Sequence, residues 1–205
     1  MKPSHYRRLS ETLSWVLHPF FQPIYLMLLL LTQTVFAGYP PMVRLYLIGV
    51  VVLYTIALPA LALGVLRALG RLSDLRIDDR RERILPLLIG AVCYLLCALT
   101  LSRIESAVFL RKLMVAAACC EVMCLAVSLR WKISLHLTGM GALTAMIVVM
   151  NFIGVGRMFV PLAVVLLASG ALASARLYLG CHTPQQVAAG YGGGFVVATL
   201  AMLFL

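Results

Sequence analysis

Acid is scarce in this chain. Seven Asp and Glu stand against seventeen Lys and Arg in 205 residues, a formal net charge of +10. Charged residues of both signs make up 12%, about half the roughly 25% of a soluble domain. With 63% hydrophobic residues and a mean hydropathy of +1.03, that shortage excludes an ordinary water-soluble globule. No segment alternates at period two, which argues against a membrane β-barrel, and no internal repeat is visible. CxxC pairs with matching histidines are missing, so no zinc site is expected. Cys93, Cys97, Cys119, Cys120 and Cys124 lie inside apolar runs and read as small core residues, whereas Cys181 abuts His182. Residues 1–16 are polar and basic, and the apolar stretch behind them is long enough to span, so no cleavable signal is expected.

What the chain has instead is apolar runs, at roughly 17–37, 43–69, 87–102, 109–129, 137–155, 158–179 and 185–205. A membrane span needs about 20 such residues. The expected architecture is all-α: one polytopic helical bundle over residues 1–205 with six or seven transmembrane helices. Residues 1–16, with Lys2, Arg7, Arg8 and Trp15, read as an interfacial segment. Glycines at 139, 141, 190, 192, 193 and 194 suit close packing of helices, where lipid supplies no hydrophobic drive.

The polar loops are few. They are Gly70–Pro86, rich in arginine and aspartate, then residues 130–136 (Arg-Trp-Lys-Ile-Ser-Leu-His), then Gly180–Pro184. Two spans separate each from the next, so all three fall on one membrane face. Parity thereby gathers arginines, Ser134, His136 and His182. If the spans number seven, the N-terminus shares that face, and the positive-inside rule makes it cytoplasmic. The basic residues sit between apolar runs, which points to anionic lipid headgroups or phosphate and away from nucleic acid. Glu121 and Asn151 stand inside apolar runs; Glu121 reads either as a partner of Arg111, Lys112 or Lys132 or as a substrate group. His5 and His18 read as incidental.

Arg176 and His182 meet where one apolar run ends and the next begins, a costly place for ionisable groups. A phosphate-bearing lipid would supply the reason. Arginine offers a planar, permanently charged fork for phosphate. Ser134 can donate a hydroxyl, and a helix starting near His136 would add backbone N–H groups. His182 and His136 are suited to nucleophile and acid. A competing reading starts from Asp74 and Asp78, a DxxxD spacing that could bridge a diphosphate through magnesium in a prenyl or phosphatidyl transferase. No second aspartate-rich motif completes it.

The string Ala175-Arg176, five residues, His182-Thr183-Pro184 resembles the third signature of the type 2 phosphatidic acid phosphatase (PAP2) superfamily, which reads Ser-Arg, five residues, His, three residues, Asp. Ser134-Leu135-His136 resembles the end of its second signature, Pro-Ser-Gly-His, and Arg80–Pro86 occupies the place of its first. The resemblance spans residues 80–194. It implies a PAP2-like core and a lipid phosphatase or phosphotransferase. His182 would attack phosphorus and form a phosphohistidine. His136 would protonate the leaving oxygen, and Arg176, Ser134, Arg83 and Arg80 would hold the phosphate. No cofactor or metal would be needed. Implied substrates are phosphatidate-like lipids, phosphatidylglycerophosphate, lipid A phosphate or polyprenyl diphosphate, and the implied location is a bacterial inner membrane.

Ile133, Leu135 and Ala175 stand where the signatures have Pro, Gly and Ser, and no lysine matches the first signature. The aspartate that orients the nucleophile falls on Gln186. An amide can accept from the imidazole but cannot balance its charge, and in an analogous triad that loss costs on the order of 10⁴ in rate. The alternative is therefore a weak or inactive PAP2-like protein that binds or moves anionic phospholipid.

Overall fold

The structure is a computed structural model that describes residues 5–71, 81–104 and 107–205. Within these the chain is helical, with one isolated bridge between Thr34 and Gly156. The helices are α1 (His5–Val16), α2 (Gln22–Gln33), α3 (Pro41–Val52), α4 (Leu58–Ala68), α5 (Ile84–Leu101), α6 (Val108–Ser128), α7 (Leu135–Phe152), α8 (Phe159–Tyr178) and α9 (Pro184–Phe204). A π-helical turn over Leu53–Ala57 joins α3 and α4 into one continuous 28-residue rod. Among the described residues, that rod, α5, α7, α8 and α9 are the five helices long and apolar enough to cross a membrane, compatible with an integral membrane protein. The 21-residue α6 is as long but carries Arg111, Lys112 and Glu121.

The run at 17–37 differs from expectation. Only its middle forms α2, with 12 residues, well short of a span. Pro19 and Pro23 lack the N–H that a continuing helix requires, so residues 17–21 form a turn and α2 starts late. The N-terminal segment also does more than lead into a span. α1 packs along α8, with Ser10 and Ser14 buried, while Tyr25 Oη on α2 donates to the Val16 carbonyl (2.7 Å).

α7 is the central helix, with 61% of its apolar stretch buried against 22% in α8. Among the described residues, α7 and α9 pack together most extensively. Glycine makes this possible. A Cβ on Gly190 would stand 2.7 Å from the Ser134 carbonyl, and one on Gly194 or Gly141 would overlap the backbone of Thr138 or Tyr191. Leucines such as Leu61, Leu99 and Leu167 point outward, as on a surface that meets hydrocarbon.

Candidate functional site

The Arg176–His182 spacing has a local cause. α8 ends in a Schellman turn: Gly180 takes φ +66°, its N–H donates to Leu177 (3.0 Å), and Cys181 N–H donates to the Arg176 carbonyl (3.2 Å). Glycine tolerates that left-handed conformation without penalty. The chain reverses, and His182 comes back beside Arg176. α9 then starts at once, capped by a reciprocal pair: Gln186 N–H donates to Thr183 Oγ1 (3.4 Å), and Thr183 N–H donates to Gln186 Oε1 (3.2 Å). Pro184 occupies the first turn, where its missing N–H costs nothing.

Gln186 Oε1 also lies 3.2 Å from His182 Nδ1. The Thr183 N–H already identifies that atom as the carbonyl oxygen, an acceptor only. Nδ1 of His182 must therefore carry the proton, and Nε2 keeps its lone pair. His136 is fixed in the opposite sense. Its Nε2 lies 3.1 Å from the Ser14 carbonyl, so Nε2 donates and Nδ1 is left with the lone pair. Two imidazoles thus present different nitrogens, each anchored from behind by an oxygen.

Both rings line one cavity of about 320 Å³, together with Arg176, Arg83, His18 and Glu121 on its polar side and Ala60, Leu63, Pro86 and Leu87 on its apolar side. Nε of Arg176 is buried with no hydrogen-bond partner among the described residues. Arg83, 5% exposed, spends one N–H on the Ile133 carbonyl (3.2 Å). Burial first, and the Arg176 guanidinium second, hold the His182 imidazole down at about 4. The same two causes hold His18 at about 4.

The structure thus brings His182, His136, Arg176, Arg83 and Gln186 to one place. Ser134 is not brought to the cavity. It is fully buried, its Oγ has no partner among the described residues, and its backbone is occupied: its N–H reaches the Gln186 carbonyl at 3.4 Å, and its carbonyl accepts from Thr138 N–H and Oγ1. The close approach at Gly190 wedges it between α7 and α9. Arg80 and the Asp74–Asp78 pair lie outside the described residues. Glu121 makes no ion pair with Arg111, Lys112 or Lys132; its carboxyl lies over Gly90 instead, within 3.4 Å of where a Cβ would stand. Among the described residues no group of three His, Cys, Asp or Glu stands close enough to hold a metal ion.

Sequence reasoning passed over His18. Its ring stands edge-on to His136 with centroids 5.2 Å apart, in the wall of the cavity. Gln22 holds the 17–21 turn in place by donating to the Leu17 carbonyl (3.1 Å) and the His136 carbonyl (3.4 Å), packed over Gly139. The available signal was His18-Pro19 close before Gln22-Pro23, a polar pair and a helix stop inside an apolar run.

Comparison with known proteins returns no matching family model, no matching curated protein and no matching solved structure.

Proposed function

We propose that this chain is an integral-membrane phosphatase or phosphotransferase acting on a phosphorylated lipid. The observation that carries the reading is the buried, unpartnered Nε of Arg176 in a cavity shared with His182, whose Nε2 is a free lone pair. A buried guanidinium nitrogen without a partner is costly, and a phosphate oxygen satisfies both its charge and its geometry. The apolar side of the cavity, built by α4 and α5, suits the start of a hydrocarbon tail. The sequence resemblance to the PAP2 superfamily supports the same reading.

In the proposed reaction His182 Nε2 attacks phosphorus as the bond to the lipid oxygen breaks. His136 Nδ1 first accepts the proton of the substrate's monoanionic phosphate and then passes it to the leaving oxygen, while the ring keeps its other proton on the Ser14 carbonyl. Water then attacks the phosphohistidine, gives its proton back to His136 and releases phosphate. Arg176 and Arg83 hold the non-bridging oxygens, where charge accumulates in a loose transition state. Gln186 keeps His182 in the tautomer that can attack. Candidate substrates are phosphatidate-like lipids, phosphatidylglycerophosphate, lipid A phosphate and polyprenyl diphosphate. Acid-labile ³²P should be trapped on the protein during turnover and vanish in His182→Ala; equal labelling of that variant would sink the mechanism.

One observation favours a second reading. Gln186 is the third residue of a helix cap, a role that glutamine fills as well as glutamate, so its presence needs no catalytic explanation. A protein that binds anionic phospholipid without turnover would lose affinity in Arg176→Ala, yet release phosphate from none of these substrates.

A further inference from the structure

His18 stands in the cavity wall with a hydrogen-bonding pattern unlike that of either neighbour. Its Nδ1 lies 3.3 Å from the backbone nitrogen of Phe20, which donates to it. Nδ1 is therefore the acceptor, and the proton sits on Nε2. Among the described residues that Nε2–H has no hydrogen-bond partner, and the ring faces the space that holds His136 and Arg176. His136 and His182 each direct an N–H backward at a carbonyl oxygen and leave a lone pair forward. In His18 the lone pair is taken by the Phe20 N–H, and its own N–H is the group left without a partner among the described residues.

That reversal decides what His18 can do. A ring anchored on an acceptor oxygen can gain a second proton and lose it again. A ring whose Nδ1 accepts from a peptide N–H gives up that bond when it gains a second proton, because protonating Nδ1 would set two donors against each other. Burial and the nearby Arg176 guanidinium work in the same direction. Phe20 and Phe21 complete its aromatic surroundings, with ring centroids 4.8 and 6.5 Å away.

We infer that His18 is a neutral hydrogen-bond donor to an oxygen of the bound phosphate, contributed by the N-terminal segment that docks on α7 and α8. The inference rests on the phosphate reading of the cavity. It adds a binding residue from outside residues 80–194 and gives it an electrophilic role, distinct from proton transfer. Neutral imidazole has the geometry that role requires, with one N–H, no competing acceptor facing the anion, and no charge to neutralise.

The test compares wild type with His18→Gln and His18→Ala, each checked for an unchanged thermal midpoint in detergent. Vanadate affinity and phosphate release from a short-chain phosphatidate are measured across pH 5–9. The expected result is a loss on the order of 10- to 100-fold in His18→Ala, with most of it restored in His18→Gln, whose amide supplies an N–H. The pH profile of His18→Gln should keep the wild-type limbs. Equal vanadate affinity and equal release in His18→Ala would overturn the inference, as would a His18→Gln variant that loses one limb of the profile, since that marks a titrating group. If wild type binds vanadate but turns over no substrate, the catalytic reading fails while the donor inference is still decided by the affinities. If wild type binds neither vanadate nor phosphate, both fall.

Discussion

Gln186→Glu is the sharpest perturbation of the site, because the structure keeps every contact and changes one charge. Oε1 of Gln186 accepts from Thr183 N–H and from His182 Nδ1–H, both at 3.2 Å. A glutamate oxygen in the same place accepts both, and the helix cap survives, since glutamate serves there as well. What is new is a negative charge beside the imidazole. Two unit charges about 4 Å apart attract by about 4 kcal/mol at an effective dielectric near 20. Desolvating the added carboxylate offsets about half of that, which leaves about 2 kcal/mol. The His182 midpoint, held at about 4 in the wild type, should then rise by roughly 1.5 pH units. The same charge stabilises the cationic imidazole that forms as Nε2 bonds to phosphorus, so phosphate release should rise roughly thirty-fold. Histidine-labelled NMR titration in micelles reads the first quantity, with His182→Asn to assign the signal. A midpoint that stays near its wild-type value would refute the reasoning, because it would mean that residue 186 does not face Nδ1.

Three further outcomes are expected. Arg176→Ala should weaken vanadate or phosphate binding by roughly 10- to 100-fold, the size of one charge-assisted contact, with Arg176→Lys recovering only part of it; isothermal titration measures both. Anion binding should take up protons. His182 is held low partly by Arg176, a bound phosphate cancels that charge and raises the bound-state midpoint, and so affinity should strengthen as pH falls and level off near pH 4; calorimetry in buffers of different ionisation enthalpy detects the uptake. Gly190→Ala should destabilise the fold by about 1–3 kcal/mol, because the added carbon would meet the Ser134 carbonyl at 2.7 Å; a detergent melting curve that does not move would contradict the account of the α7–α9 contact.

The part of the site that was legible in the sequence is the part made locally. Arg176, Gly180, His182, Thr183, Pro184 and Gln186 lie within eleven consecutive residues, and two helix-end motifs set their geometry. Loop parity was enough to add Arg83 and His136, since a span returns the chain to a face whatever its tilt. The direction of the Ser134 side chain was not legible. It follows from how closely two helices approach at Gly190, which depends on tertiary packing and not on a spacing. His18 was hidden for a related reason. Its place beside His136 is fixed by Gln22 reaching the His136 carbonyl across 114 positions, and by α1 lying against α8. The short α2 was partly legible, because Pro19 and Pro23 mark where a helix cannot run through.

The central claim is that the cavity turns over a phosphorylated lipid through His182. The most direct measurement is phosphate release in magnesium-free buffer from a panel of phosphatidate, phosphatidylglycerophosphate, lipid A phosphate and polyprenyl diphosphate, with wild type beside His182→Ala. The account predicts vanadate-sensitive release from at least one of them by wild type and none above background by the variant. Equal release by the two proteins would contradict it.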